Sequence, residues 1–422
     1  MHVSSATFDR AEHPNIQMAF DAMQASTATW TLVGLPAEIE HYGTGLGSIV
    51  AGQYNGPPIG GAVSFTEVAI GVEATMPCLS NSLFLGEWDG EPFIASFIRP
   101  LSQGPNPEFR VEVMTVDVGT GRGFLATLRR LMSELNVYRG KVLTFSFGQY
   151  GDFGIEFHSL PTVTRDQVIL PDGTLAAIER HALGVTQHAD QLRRDGQHLR
   201  RGLLLFGPPG TGKSHTVAYV CNESPDRTVI ILTGGAAGAV GQAGSIARTL
   251  EPATIVIEDV DLIASDRSMH GGRHNTVLFQ LLNEMDGIAA DGDVLFVLTT
   301  NQVDSLETAL AARPGRIDQA IELPLPDAAA RGRLLELYSA GLDIPREVAS
   351  RIVDQTEGCA GAFMKELVRR AALLAAEQET SVAASLEPAL GELHQHSTPI
   401  MRMSLGMSEP ERPEAGRGHT AV

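Results

Sequence analysis

Cysteine is scarce in this sequence. Three cysteines occur in 422 residues, at positions 78, 221 and 359, and no C-x-x-C pair is present. Cysteines this far apart, with no histidine at metal-ligand spacing, argue against a disulfide framework and against a zinc site. We therefore expect a protein of a reducing compartment, the cytoplasm.

Long apolar runs are absent from the sequence, and basic residues are fewer than acidic ones. No segment approaches the ~20 apolar residues that a membrane-spanning helix needs, and no charged stretch followed by an apolar core marks a signal peptide. We expect no membrane span. The 31 Lys and Arg residues face 50 Asp and Glu residues, which gives a net charge of −19. Such an acidic chain is repelled by nucleic-acid phosphates, so a nucleic-acid partner is not expected.

Lysine is the rarest charged residue, because only Lys141, Lys213 and Lys365 occur among the 31 basic positions. Lys213 stands in the stretch GPPGTGKS (207–214), which matches the phosphate-binding pattern G-x-x-x-x-G-K-[ST] in full. The apolar run 203–206 before it is typical of a buried parallel strand. The glycines let backbone N–H groups surround an anion, and the following helix presents its positive end to that anion.

A plain glycine-rich turn is the alternative, and the order strand, loop, helix argues against it. The sequence therefore predicts a nucleotide phosphate site with Mg²⁺ bound by Ser214. The predicted nucleotide-binding residues of this stretch are Gly207, Pro208, Pro209, Gly210, Thr211, Gly212, Lys213, Ser214 and His215.

Polar residues follow two further predicted strands. The strand 254–257 ends in the four residues EDVD (258–261), and the strand 294–300 is followed by Asn301. In a parallel sheet such strand ends lie beside the phosphate loop. We expect Glu258 to hold Mg²⁺, Asp259 to orient or activate a water molecule, and Asn301 to position that water.

Two other clusters have simpler explanations than ligand binding. The run GTGRG (119–123) does not match G-x-G-x-x-G, and a turn followed by a helix start accounts for it better. Four arginines between 193 and 201 lie beside Asp190 and Asp195 without interleaved aromatic residues. A solvated helix face explains them better than a nucleic-acid site.

The predicted fold class is α/β, with a P-loop NTPase parallel sheet that has helices on both faces and a C-terminal helical lid. Within this part of the chain we also predict a strand at 228–232, helices at 213–222 and 276–285, and an extended segment at 168–171. A separate α+β N-terminal domain precedes it, because residues 63–72, 93–98, 110–116 and 142–147 are typical of strands and 124–135 of an amphipathic helix. The predicted ranges are 1–165 for this N-terminal domain, a candidate for partner binding, and 166–326 for the ATPase α/β subdomain. The helical lid is expected at 327–395 and a disordered tail at 396–422.

From about 180 to 380 the chain resembles the AAA family of the AAA+ ATPases. The matching pieces occur in the order of that family. They are Walker A at 207–214, Walker B at 255–261, sensor 1 at 299–301, the second region of homology at 309–318, and the lid motif at 358–362.

The resemblance implies ATP and Mg²⁺ as cofactors and ATP hydrolysis between subunits of a homo-oligomeric ring, expected to be a hexamer. Arg316, helped by Arg313, is implied to reach the nucleotide of a neighbouring subunit. Gly361 and Ala362 are implied to touch the base and ribose, and Gly184 falls where the adenine-pocket loop of the family lies. The implied output is the remodelling of a protein partner that the N-terminal domain selects.

The sequence departs from the family at two places. Walker B ends in Glu258-Asp259 where the family has Asp-Glu, an inversion that it shares with the membrane-bound AAA chaperones of mitochondria. The triplet Ala239-Val240-Gly241 stands where the family carries the aromatic-aliphatic-Gly triplet that grips threaded polypeptide. Two alternatives stay open, a nucleotide-gated switch or scaffold with little turnover and an AAA+ protein that handles nucleic acid.

Overall fold

The computed structural model describes residues 1–27, 30–36, 45–53, 59–99, 108–147, 153–233, 239–261, 292–302 and 317–396. The strands are β1 His2–Asp9, β2 Thr31–Gly34, β3 Phe65–Ala69, β4 Thr75–Leu79, β5 Ser82–Trp88, β6 Glu91–Ile98, β7 Glu108–Thr115, β8 Val142–Phe147, β9 Phe153–Phe157, β10 Arg201–Phe206, β11 Thr228–Leu232, β12 Ala253–Ile257, β13 Val294–Thr300 and β14 Gln319–Glu322. The helices are α1 His13–Thr27, α2 Leu46–Val50, α3 Val118–Glu134, α4 Thr174–Glu179, α5 Val185–Gln187, α6 Ala189–Arg194, α7 Lys213–Asn222, α8 Val240–Thr249, α9 Ala328–Tyr338, α10 Arg346–Gln355, α11 Gly361–Gln378 and α12 Val382–His396.

Five of the N-terminal strands form an antiparallel sheet in the order β1-β7-β6-β5-β2. Successive side chains of a strand point to opposite faces, and one face of this sheet carries an aromatic core together with α1 and α3. Trp30 and Trp88 contact the same cluster. Its most buried large members are Phe20, Phe97, Phe124, Ile16, Met23 and Leu128.

Helix α3 begins at Val118, one residue before the glycine-rich run 119–123. The Asp117 carboxylate accepts hydrogen bonds from the backbone N–H groups of Gly119 at 2.6 Å and Thr120 at 3.3 Å, which caps the helix start. A Cβ on Gly121 would lie only 3.0 Å from the Thr115 hydroxyl oxygen, so glycine lets the helix pack closely on the sheet. The interpretation of this run as a helix start is confirmed.

The predicted parallel sheet is present and has the strand order β14-β10-β13-β12-β11-β8-β9. Strand β10 pairs in parallel with both β13 and β14, and β8 pairs in parallel with β11. The edge strand β9 is antiparallel to β8. Every residue of β11, β12 and β13 is buried, as strands covered by helices on both faces must be. The α/β fold class is confirmed.

The chain divides into two compact units that do not follow chain order. The first comprises Met1–Leu160, Pro225–Val256 and Gly287–Val294, and the second Pro161–Ser224, Ile257–Asp286 and Leu295–Val422. The phosphate loop (207–214), the acids 258–261, Asn301 and the C-terminal helices all belong to the second unit. The domain ranges expected from the sequence stay predictions, because each unit combines segments that are far apart in the chain.

The C-terminal helices α9 to α12 form the predicted helical lid. The Asp327 side chain accepts the Ala330 N–H at 2.7 Å and caps α9. Helix α11 packs against both α9 and α12. The core of the lid includes Leu334, Leu335, Ile352, Phe363, Met364, Leu367 and Leu386. Residues 397–422, which contain most of the predicted tail, lie outside the described part of the chain.

No helix among the described residues is long and apolar enough to cross a membrane. The three cysteines, Cys78, Cys221 and Cys359, are buried, and none of them forms a disulfide. Burial raises the pKa of Cys78 to about 12 and that of Cys359 to about 11. These two thiols are therefore protonated at neutral pH and pack as small apolar groups.

Candidate active site

The phosphate loop leaves β10 at a position that only glycine can occupy. Gly207 has a φ of 146°, and a Cβ there would lie 2.2 Å from the carbonyl oxygen of Leu323. Gly212 also has a positive φ, 97°, immediately before α7 begins at Lys213. The loop therefore runs directly into a helix N-terminus, whose free N–H groups and positive dipole end attract anions.

Lys213 lies across the loop. Its side chain is buried, and its Nζ donates to the carbonyl oxygens of Gly207 at 2.8 Å and Pro208 at 2.9 Å. Burial lowers the pKa of the Lys213 ammonium, while the carboxylates of Asp259 and Asp261 act in the opposite direction. The predicted phosphate-binding lysine and the predicted acids therefore act on each other electrostatically.

The residues after β12 and β13 form a hydrogen-bonded group. The Asn301 side-chain amide donates to Asp259 Oδ1 at 3.1 Å, and the Asp259 backbone N–H donates to Thr299 Oγ1 at 3.0 Å. Asp259 adopts a left-handed backbone conformation, with a φ of 48°. A non-glycine residue in this region stores strain that the surrounding bonds must hold, and such residues concentrate at functional sites.

A cavity of about 1000 Å³ lies between the phosphate loop and the residues that follow β12 and β13. The loop residues from Pro209 to Thr216, Asp259 and Asn301 line one part of it. Glu258 is half-buried and is not among the lining residues. The structure thus brings Asp259 and Asn301 to the same space as Lys213, as their positions at strand ends predicted, and does not bring Glu258 into the lining.

The cavity also has a wall that the sequence did not predict. The segment Gln167 to Asp172 and three side chains of the lid, Arg333, Tyr338 and Lys365, line it. Arg333 donates to the carbonyl oxygen of Leu170 at 3.3 Å, which connects the lid to the segment 167–172. The only sequence signal was the apolar run before Pro171, which indicated an extended segment without indicating what it lines.

His215 and the lid motif connect α7 and the phosphate loop to two other segments of the second unit. The His215 Nε2 donates to the carbonyl oxygen of Gln167 at 3.1 Å, which connects α7 to the segment 167–172. The Ala362 backbone N–H donates to the carbonyl oxygen of Gly210 at 3.1 Å, and Gly361 also lines the cavity. Gly184 lies in the helical turn between α4 and α5, and the structure does not bring it to the cavity.

Residues 203–325 match the family model of AAA, the ATPase family associated with various cellular activities. The chain contains an AAA ATPase domain. The matched range begins in β10 and takes in the phosphate loop, the acids after β12 and Asn301. It also contains Arg313 and Arg316, which lie outside the described residues, as do most of the second region of homology and the predicted helix 276–285.

Relatives of this domain come from archaea, bacteria and eukaryotes. The proteasome-activating nucleotidase of Methanocaldococcus jannaschii is 33% identical over 200 residues, which cover 44% of this chain and 46% of the relative. The human ATPase family gene 2 protein homolog A is 35% identical over 205 residues, 46% of this chain and 23% of the relative. The ATP-dependent zinc metalloprotease FtsH of Mycoplasmopsis synoviae is 32% identical over 262 residues, 58% of this chain and 39% of the relative. The chain thus spans less than half the length of these three relatives.

The donor set of the AAA domain fits Mg²⁺. Ser214 is exposed at the start of α7 and lines the cavity together with Asp259, so a hydroxyl and a carboxylate oxygen stand beside the phosphate loop. Mg²⁺ is normally held by one or two protein oxygens together with substrate phosphates and water, not by a full protein cage. The described residues hold no group of three or more His, Cys, Asp or Glu that could bind a metal.

Two residues of the triplet 239–241, which was expected at the polypeptide-gripping position of the family, are buried. Ala239 and Val240 are 1% and 0% exposed, and α8 begins at Val240. These side chains pack into the first compact unit, so in this conformation they present no surface to a passing polypeptide.

Proposed function

We propose that the AAA domain binds ATP with Mg²⁺ in the cavity described above and hydrolyses it. The observation that carries the proposal is the hydrogen bond from the Asn301 amide to the Asp259 carboxylate in the same cavity as Lys213. An acid, an amide and a phosphate-binding lysine around one space are the groups that orient a water molecule toward a bound γ-phosphate.

Lys213 binds the β- and γ-phosphates in this proposal. Its Nζ now donates to two neutral carbonyl oxygens, those of Gly207 and Pro208. A phosphate oxygen carries more negative charge than a carbonyl oxygen, and charge-assisted hydrogen bonds are roughly twice as strong as neutral ones. The ammonium therefore exchanges loop carbonyls for phosphate, while the loop N–H groups and the α7 N-terminus hold the remaining phosphate oxygens.

Asp259 accepts the proton of the attacking water. Asn301 donates to one carboxylate oxygen and so fixes the orientation of the group, which leaves the second oxygen available to the water. When bound, Mg²⁺ supplies positive charge that offsets the charge on the phosphates during transfer. We assign Ser214 and Glu258 to hold it.

The wall formed by Val168 to Pro171, Tyr338 and His215 is the proposed site of the base and ribose, with Gly361 and Ala362 beside it. Gly184 is not part of this proposal, since it lies away from the cavity.

The wider biological role is proposed by analogy. The names of two relatives, a proteasome-activating nucleotidase and an ATP-dependent zinc metalloprotease, associate AAA domains with the processing of proteins. We propose a homo-oligomeric ring, a hexamer, in which Arg316 and Arg313 reach a neighbouring nucleotide and the N-terminal region selects a protein partner. Remodelling without threading fits the buried Ala239 and Val240. Three buried cysteines without a disulfide between them support a cytoplasmic location.

A nucleotide-gated switch with little turnover is the second candidate. Asp259 is one methylene shorter than the glutamate of the family, and a displacement of ~1 Å at a reacting group can cost ~10²-fold in rate. Its left-handed backbone and its bond to Thr299 restrict how far it can move toward a substrate. Turnover therefore decides between the two candidates.

Steady-state phosphate release with ATP and Mg²⁺ is the deciding measurement. We expect Lys213→Ala to weaken ATP binding by a few kcal/mol, because charge-assisted contacts to the phosphates are lost. Asp259→Asn should bind ATP normally and hydrolyse it at least ~10²-fold more slowly. Lys141→Ala, which removes an exposed lysine of the first unit, is the matched control. Wild-type affinity in Lys213→Ala would show that the loop is not the nucleotide site. ATP binding without phosphate release by the wild type would favour the switch.

A further inference from the structure

Asp261 is a buried carboxylate of the AAA domain to which the proposed mechanism gives no role. Its side chain is 8% exposed, and it belongs to the first turn after β12. Its Oδ1 accepts a hydrogen bond from the Thr300 hydroxyl at 2.8 Å and a second from the Asn301 backbone N–H at 3.2 Å. A carboxylate is expensive to bury unless such bonds compensate for lost hydration.

The hydrogen-bond partners of Asp261 differ from those of a helix-capping aspartate. A capping aspartate bonds to N–H groups two or three residues ahead of it in the chain. Asp261 instead bonds to residues 39 and 40 positions away, at the end of β13. Its hydrogen bonds therefore join the ends of two strands at the site.

Asp259 and Asp261 hold Asn301 from two sides. Asp261 binds the backbone N–H of Asn301, and Asp259 receives its side-chain amide. The hydroxyl of Thr300 in turn accepts the Gln302 N–H at 3.0 Å, which fixes the chain just beyond Asn301. With its backbone held in this way, the Asn301 amide has a defined direction toward the Asp259 carboxylate.

We propose that Asp261 is a positioning residue for hydrolysis, which acts by fixing the end of β13 through Thr300 and the Asn301 backbone so that the Asn301 amide orients Asp259. The inference rests on the proposed ATPase function. Asp261 does not touch the substrate in this account. Its removal should therefore slow the chemical step and leave nucleotide binding in place.

The test compares Asp261→Ala, Asp261→Asn and Thr300→Val with the wild type. For each variant, kcat and KM for ATP, the Kd of a fluorescent ATP analogue and the melting temperature are measured. Asp261→Ala should lower kcat by about 10²-fold, as expected when a reacting group shifts by ~1 Å, with KM and Kd within about threefold of wild type. Asn keeps an oxygen acceptor in the place of Oδ1, so Asp261→Asn should retain kcat within about threefold.

Thr300→Val keeps the shape of the side chain and removes the hydroxyl that bonds to Asp261. It should also lower kcat. The double variant Asp261→Ala/Thr300→Val should lose no more kcat than Asp261→Ala alone, because both substitutions remove the same hydrogen bond. Thr356→Val is the matched control, since Thr356 is a fully buried threonine of the lid whose hydroxyl donates to the Ile352 carbonyl at 2.7 Å. It should leave kcat unchanged.

Several outcomes would overturn the proposal while wild-type hydrolysis stands. One is full kcat in both Asp261→Ala and Thr300→Val. Another is an Asp261→Asn enzyme as slow as Asp261→Ala, which would assign the effect to the charge and not to the hydrogen bonds. A third is a loss of kcat that parallels the loss of melting temperature in every variant, Thr356→Val included. A wild-type protein that binds ATP and releases no phosphate would instead contradict the proposed ATPase function itself.

Discussion

Hydrogen-bonded polar side chains occur in both the N-terminal region and the AAA domain, but their partners differ. In the N-terminal region the His13 Nε2 donates to the Leu79 carbonyl at 2.8 Å, and the Gln17 side-chain oxygen accepts the Leu79 N–H at 2.8 Å. Burial lowers the pKa of His13, which favours the neutral ring. In the AAA domain Asp259 and Asn301 bond to each other beside a cavity.

The difference separates structural from functional polar groups without reference to residue type. A buried side chain whose hydrogen bonds go to a backbone group away from the cavity completes the hydrogen bonding of the fold. A pair of side chains at the ends of parallel strands, beside an open space, can still act on a ligand. By this criterion we expect changes in the N-terminal core to affect stability, and changes at the AAA strand ends to affect catalysis.

The largest effect should come from Arg316. If AAA chemistry needs a group from a neighbouring chain, Arg316→Ala should lower kcat by at least ~10³-fold and leave ATP binding intact, since an arginine finger meets charge that develops only in the transition state. Mixing Arg316→Ala with Lys213→Ala subunits should restore part of the phosphate release, because mixed interfaces pair an intact loop with an intact finger.

Arg346→Ala is the control for the Arg316 experiment, because it removes an exposed arginine at the start of α10. Hydrolysis by a demonstrable monomer, at the same rate per chain as the assembled protein, would contradict the expectation. The cavity residues of one chain would then suffice for catalysis.

The second effect concerns the N-terminal core. Phe124 is fully buried and lies 5.7 Å from Trp30 and 5.3 Å from Trp88, centroid to centroid. Phe124→Ala should lower the free energy of unfolding of this region by about 3–5 kcal/mol, through lost burial and a residual cavity. The chain has two tryptophans, both in this cluster, so tryptophan fluorescence during urea unfolding reports on this region specifically.

Phe65→Ala is the matched control for Phe124→Ala, because Phe65 is 55% exposed on β3. The ATP affinity of Phe124→Ala should stay within about twofold of wild type, measured below its unfolding transition. A large loss of affinity in a folded Phe124→Ala protein would break the distinction between the two regions.

The smallest effect is electrostatic and depends on pH. Glu366 of the lid forms ion pairs with Arg369 at 2.7 Å and Arg370 at 2.8 Å. The hydrogen bonds from these arginines lower the pKa of Glu366 to about 2. Because the folded-state pKa is depressed, the ion pairs of Glu366 stabilise the fold fully above the unfolded-state pKa, near 4.5. This stabilisation is lost as the pH falls toward about 2.

Glu366→Gln should therefore reduce the free energy of unfolding by less than about 1 kcal/mol at neutral pH, as expected for solvent-accessible pairs. The difference from wild type should shrink between pH 4.5 and pH 3, measured by urea unfolding. Glu377→Gln, at an exposed position of the same helix, provides the control. A difference that grows as the pH falls would contradict the assignment.

The sequence predicted the AAA strands better than the N-terminal ones for a physical reason. The ranges 228–232 and 294–300 were predicted with the ends that β11 and β13 have, because strands buried on both faces are continuous apolar runs. Helix α7 was likewise predicted from Lys213 to Asn222, since glycines mark its start. In contrast, β1 has a single buried residue, Ala6, and so carries no alternation for a pattern to detect.

The site could be predicted in part. Consecutive parallel strands place their carboxyl ends together, so Asp259 and Asn301 were expected beside Lys213 from strand positions alone. The wall 167–172 and the lid residue Lys365 were not expected, because only tertiary packing brings them to the cavity. Gly184 was assigned from the resemblance, and no local feature of the sequence could show that it lies in a helix.

The hydrogen bond from Ala362 to the Gly210 carbonyl ties the first turn of α11 to the phosphate loop. Two segments joined in this way share one conformational equilibrium, and the coupling between them is reciprocal. A nucleotide that moves the Gly210 peptide must change the preferred position of α11. By the same linkage, a partner that binds better to one position of α11 must change the affinity for nucleotide. The factor equals the one by which the nucleotide changes the affinity for that partner.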